Sequence, residues 1–291
     1  MTEEAESKAD DKIIIIYALP GSQFVAKVLT ALDQRKIPHY VQFVPLDVVK
    51  RKKMMPSGGH LVPEMTVEGA GIEDRLIVKD SEVILHWIDD NYKTGLFPTE
   101  QASELSKRAS DKTLAAMVWY YNWVDDDGYK NSMLKTITEM TFPSWMSVFC
   151  FTTRLVDYFL AKERIELRDQ VKETLGLEDS VLDDKARMRE ILVEELKYFQ
   201  SFLVADGTQQ PYLLPGDQPT AADFSVYAQM ERLVGGPKTA SDIPIYPSIQ
   251  ELKDSGSSGP GSDLKRLWEW HDNMREKCPV QFKGKRPPAK K

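Results

Sequence analysis

Residues 12–17, KIIIIY, constrain this chain more than any other stretch. Four consecutive β-branched residues favour a strand, and a continuously apolar strand is one buried on both faces, as in a parallel or mixed sheet. The run is also far shorter than the roughly 20 apolar residues that span a bilayer. Pro20-Gly21-Ser22 breaks it. Phe24, Val25, Val28, Leu29 and Leu32 then recur at helical spacing, with Ser22 as the N-cap.

The next 70 residues extend this unit. Residues 40–44 alternate as a second strand, and a Lys-rich helical or irregular piece runs to Pro56-Ser57-Gly58-Gly59. Residues 60–67 and 75–79 read as a hairpin about a turn at Gly69-Ala70-Gly71. Asp80-Ser81 caps a helix with Val83, Ile84, Trp87 and Ile88 on one face. Beyond Pro98 the strand pattern ends, and apolar residues repeat at period 3.6 over about 104–124, 144–173, 183–204, 220–234 and 264–277. An α/β domain at 12–95 therefore precedes a linker at 96–103 and an all-α domain at 104–282. That second domain carries a flexible Gly/Ser insertion at 254–263. An acidic disordered head (1–11) and a basic tail (283–291) flank them.

Composition narrows the function classes. A net charge of −7 opposes general nucleic-acid binding, which needs clustered cations. The acidic N-terminus has no apolar segment of a secretory signal, so a soluble cytoplasmic protein with no membrane partner is expected. Cys150 and Cys278 lie in no metal-ligand spacing and read as reduced structural thiols. The histidines show no metal spacing either, and Asp125-Asp126-Asp127-Gly128 lacks the alternation of a calcium loop and reads as a helix end or turn. No metal is expected.

Four stretches in their order resemble the cytosolic glutathione transferase superfamily: YALPGSQFVAKV (17–28), PSGGHLVPEM (56–65), KDSEVILHWID (79–89) and QPTAADFSVYAQM (218–230). The resemblance implies a thioredoxin-like N-terminal domain, an all-α C-terminal domain and a glutathione co-substrate. It covers 12–98 best and 100–185 least. In the last stretch Thr220 would accept from the Asp223 N–H while the Asp223 carboxylate reaches back to the Thr220 N–H, a structural helix start.

The resemblance also assigns a site. Val62, before a cis Pro63, would pair with the cysteinyl backbone of glutathione. Asp80 and Ser81 would hold the γ-glutamyl end at a helix N-terminus. Lys50, Lys52, Lys53 or His60 would meet the glycyl carboxylate. Ser22 stands where serine-type members, with a tau-, zeta- or omega-like N-terminal site, carry the hydroxyl that stabilises the thiolate; Tyr17, at the strand end used by tyrosine-type members, is second. Gln23 replaces the Pro usual in that motif. Phe24 and the aromatic run with Trp119, Tyr120 and Trp123 would wall a pocket for a small hydrophobic electrophile, some of the three lining it and the rest packing. The implied activity is thiolate attack on that electrophile by a cytoplasmic, homodimeric detoxification enzyme. Two other readings stay open: a non-catalytic binding or assembly relative, and a glutathione-dependent isomerase or dehalogenase.

Overall fold

In the computed structural model the described residues are 12–69, 75–142, 150–205, 208–234 and 264–282. The acidic head, the centre of the hairpin turn, the Gly/Ser insertion and the basic tail lie outside them.

The isoleucine run forms β1 (Lys12–Ala18). It is paired parallel to β2 (Tyr40–Phe43) and antiparallel to β3 (Glu64–Gly69), which pairs antiparallel with β4 (Leu76–Lys79). The order β2-β1-β3-β4 leaves β1 and β3 internal. Ile14 and Ile16 are fully buried against α1 (Gln23–Gln34), whose Val25, Val28, Leu29 and Leu32 complete the core. A short α2 (Val48–Met54) follows β2, and α3 (Ser81–Tyr92) follows β4. Strand β3 starts at Glu64 rather than at residue 60, because Pro63 has no N–H to give to a ladder; the Val62-Pro63 peptide is cis.

The remainder is helical, as the period-3.6 pattern predicts. Thr99 caps α4 (Glu100–Asp111), so this helix begins inside the segment expected as a linker. The single helix expected over 104–124 is two: α4, then α5 (Thr113–Trp119), which continues into a π turn at Tyr120–Val124. Asp125 caps α6 (Asp126–Tyr129) by accepting from the Gly128 N–H at 2.7 Å. A Cβ at Gly128 would stand 1.9 Å from the Tyr121 carbonyl oxygen, so glycine alone permits this close approach. The acidic run is thus a helix start. A second π turn (Lys130–Leu134) leads to α7 (Lys135–Thr141), and the long α8 (Cys150–Leu175), α9 (Asp179–Leu182), α10 (Lys185–Gln200), α11 (Ala221–Val234) and α12 (Lys265–Lys277) complete the domain. Contrary to expectation, strand structure returns among the described residues, as a pairing of Val204–Ala205 with Thr208–Gln209. Two residues a side are too few to leave a sequence signal.

Helix α11 starts on a buried carboxylate. Asp223 accepts from the Thr220 N–H (2.9 Å) and hydroxyl (2.9 Å), the Leu213 N–H (2.8 Å) and the Trp270 indole N–H (3.2 Å). The Thr220 hydroxyl donates to that carboxylate rather than accepting from the Asp223 N–H, which corrects one half of the expected box. Burial pushes the Asp223 carboxyl up, against these four donors.

A polar network ties the sheet domain to the helices. Lys27 of α1 donates to Glu82 of α3 (2.6 Å) and Ser110 of α4 (2.9 Å). Ser106 of α4 donates to the same Glu82 oxygen (2.9 Å) and lies 2.7 Å from Ser225 of α11. Four helices therefore meet at one ion pair whose Lys side chain is almost wholly buried. Cys278 is also buried, which pushes its thiol up to about 11 and keeps it protonated and unreactive.

Among the described residues no helix is long and apolar enough to cross a membrane, and no group of three His, Cys, Asp or Glu could hold a metal ion.

Candidate functional site

Ser22 closes the turn between β1 and α1, its N–H donating to the Leu19 carbonyl at 3.2 Å, while Gly21 takes φ 83°. Its Oγ accepts from the Val25 N–H at 3.4 Å, the N-cap bond expected of a helix-starting serine. A hydroxyl that accepts one backbone bond still has its own proton to donate. Capping and donation to a ligand are therefore compatible at Ser22.

Two cavities share a wall made by Phe24, His60, Leu61, Val62 and Trp119. The first, of about 870 Å³, holds Pro63, Asp80, Ser81, Asp111 and Lys112. The second, of about 450 Å³, holds Ser22, Gln23, Arg51, Trp123, Met133, Ile137 and Arg232. Val62 lies on the seam. It precedes β3, so its N–H and carbonyl lie outside the sheet pairing.

The Asp80-Ser81 corner is set by an unusual backbone. Asp80 adopts φ 74°, ψ 134°, a conformation that costs a non-glycine residue on the order of 1–3 kcal/mol and that tends to occur where a ligand is gripped. Its carboxylate accepts from the Glu82 (2.8 Å) and Val83 (3.4 Å) N–H groups. The Ser81 hydroxyl and N–H remain at the positive end of a 12-residue helix, on the cavity wall.

The loop before Val62 is also fixed. Buried Glu64 accepts from the Ser57 N–H (2.9 Å) and from the Ser57 hydroxyl, and the Ser57 oxygen accepts from the Gly59 N–H at 3.1 Å.

The structure brings Ser22, Phe24, His60, Val62, Pro63, Asp80, Ser81, Trp119 and Trp123 to these two cavities. The other expected residues are elsewhere. Tyr17 lies in the β1 ladder between Gln42 and Glu64 and lines neither cavity. Tyr120 is buried against Tyr121, ring centroids 5.0 Å apart, because the helix face that presents Trp119 and Trp123 four residues apart turns the intervening ring inward. Lys53 is exposed and lines neither cavity, as are and do Lys50 and Lys52. The Asp47 cap fixes the phase of α2, and Arg51 is its residue on the cavity wall. Arg51 donates to the Leu46 carbonyl at 3.1 Å, and burial pushes its guanidinium down while Asp47 opposes that shift.

Asp111 is a residue that sequence reasoning missed. It ends α4 at the rim of the larger cavity, and partial desolvation followed by the charge of Asp80 pushes its carboxyl up. The two carboxylates together suit a cationic ligand group. No local pattern marks such a residue, which reaches the site only through packing of the two domains.

A family model described as the glutathione S-transferase C-terminal domain matches residues 165–275. Among solved structures the chain is similar to FzlA from C. crescentus, at 17% identity over 95% of this chain and 96% of that one, TM-score 0.48. It is similar to a glutathione transferase family member from Pseudomonas fluorescens pf-5 with two glutathione bound, at 12% identity over 90% and 88%, TM-score 0.49. Gtt2 from Saccharomyces cerevisiae is similar at 17% identity over 90% and 96%, TM-score 0.47. No curated protein matches the chain.

Proposed function

We propose that the chain is a member of the glutathione transferase superfamily that binds glutathione across both cavities and activates its thiol for attack on a small electrophile. The observation that carries this reading is Ser22, a helix N-cap on the wall of the smaller cavity with its hydroxyl proton free to donate. Val62 would pair with the cysteinyl backbone. Ser81 would donate to the γ-glutamyl carboxylate, Asp80 and Asp111 would face its ammonium, and Arg51 or His60 would meet the glycyl carboxylate.

Activation follows from two local fields. A hydroxyl donating to a thiolate makes a charge-assisted hydrogen bond of about 1.5–3 kcal/mol. At about 1.4 kcal/mol per pKa unit, this lowers a thiol from about 8.5 by roughly one to two units. The α1 N-terminus acts in the same direction. Phe24, Trp119 and Trp123 would receive the electrophile, and the thiolate would displace its leaving group to give a thioether and the free anion. A cytoplasmic homodimer acting in detoxification goes with the resemblance, and light scattering after gel filtration reads the dimer.

A second reading keeps glutathione binding without turnover. Glu163 and Glu166 of α8 line the Ser22 cavity, and carboxylates there oppose a thiolate. Calorimetric titration with glutathione tests what the two readings share. Saturable binding by millimolar concentration, weakened about tenfold in Ser81→Ala, is expected; absence of binding by the parent chain would sink both.

Asp111 adds a pH dependence. Its carboxyl is raised, so as pH falls it is protonated sooner than an ordinary aspartate and loses its attraction for the ammonium. Glutathione affinity should therefore weaken about threefold as pH falls through the Asp111 titration, a partly screened surface pair being worth little more. Asp111→Asn should bind weakly throughout and flatten that profile; an unchanged profile would remove Asp111 from the site.

A further inference from the structure

Arg232 of α11 lines the smaller cavity, and no carboxylate among the described residues stands within ion-pair distance of it. Its Nη2 lies 2.8 Å from the Met133 sulfur, a weak acceptor, and its Nη1 is buried with no hydrogen-bond partner among those residues. Desolvation pushes the guanidinium down to about 10, which still leaves it charged at neutral pH. Glu163 and Glu166 line the same cavity but neither is within ion-pair distance, and Arg51 on the opposite domain has its own carbonyl partner. Arg232 is half-buried with its Nη1 out of solvent, and the cost of desolvating a cation is relieved when a ligand supplies the anion.

We propose that Arg232 is an oxyanion-binding residue that selects acceptor substrates with an aromatic body and a carboxylate or sulfonate group. The guanidinium offers a planar fork that fits an oxyanion through two parallel hydrogen bonds. Trp119, Trp123, Met133 and Ile137 line the same cavity, and a volume of about 450 Å³ suits a single small aromatic molecule beside them. The two demands, apolar body and anionic group, are met from one wall. The assignment of this ligand as an acceptor rests on the reading of Ser22 as the thiolate donor, whereas the anion site itself does not.

The test compares 4-chloro-3-nitrobenzoate with its neutral counterpart 4-chloro-3-nitrobenzamide. Nitroaromatics quench tryptophan fluorescence, so binding near Trp119 and Trp123 is read without glutathione and without turnover. The parent chain should bind the benzoate at least about tenfold more tightly than the benzamide, the scale of a charged hydrogen bond. Arg232→Met should abolish that preference by weakening the benzoate alone, and Arg232→Lys should restore part of it. Arg232→Met removes a half-buried charge that has no ion pair among the described residues and should melt no lower than the parent. Equal affinities in the parent, a preference that survives Arg232→Met, or loss of benzamide binding in a folded Arg232→Met would each overturn the proposal. A parent that prefers the benzoate yet binds no glutathione would leave the anion site standing and remove the transferase reading.

Discussion

Lys27→Ala is expected to destabilise the chain by about 3–5 kcal/mol, the range for breaking a buried ion pair by deleting one partner. Lys27 is 1% exposed, and its ammonium is the cation that answers Glu82 within hydrogen-bond distance. Without it, Glu82 keeps one hydroxyl donor, Ser106, while its other oxygen is already buried and unpartnered. At roughly 2–4 °C per kcal/mol for a chain of this size, Tm should fall by roughly 10 °C. The control is Lys27→Met with Glu82→Met, which removes both charges and should lie within about 1 kcal/mol of the parent. If the single and double variants unfold alike in urea, the network does not hold the domains together as described. Glu82 immediately follows Ser81, so Lys27→Ala should also weaken glutathione binding through the α3 start.

Ser22→Ala carries the second large effect. Loss of a charge-assisted bond of about 1.5–3 kcal/mol corresponds to a fall in kcat/KM of roughly 10- to 150-fold. The comparison variant is Tyr17→Phe, which removes the hydroxyl of a residue that lines neither cavity and should leave kcat/KM within about twofold. The N-cap role of Ser22 has its own cost, about 1 kcal/mol on replacement by alanine. Ser22→Gly, which preserves much of the cap preference, separates the two: stability should largely return while turnover does not. Loss of activity confined to Tyr17→Phe would reverse the roles assigned here.

The parts of the molecule legible in the sequence are those written in local patterns. Four isoleucines specify a central strand, Ser22 and Asp80 stand at real helix starts, and Val62-Pro63 precedes β3 in the cis form that the resemblance implies. Side-chain direction was harder to read. Which of four consecutive basic residues meets the cavity depends on the phase of a seven-residue helix, and Asp47 sets that phase by accepting from the Lys50 N–H. The i, i+4 relation of Trp119 and Trp123 places both on one face and sends Tyr120 inward, a distinction that an aromatic run conceals. Asp111 and Arg232 enter the site from the helical domain, more than 80 residues from Ser22 in the chain, so only the packing of α11 on α1 and of α4 on α11 brings them there. Arg232 carries no motif; its meaning lies in its place on the cavity wall.

The central claim, that Ser22 stabilises the thiolate of bound glutathione, is tested most directly by titrating that thiolate. Its ultraviolet absorbance in the complex, followed against pH for the parent and Ser22→Ala, reports the apparent thiol pKa without any acceptor. The parent should show a value about one to two units below the roughly 8.5 of a free thiol, and Ser22→Ala a return toward it. A bound thiol that titrates like free glutathione, or one whose lowered value survives Ser22→Ala, would contradict it.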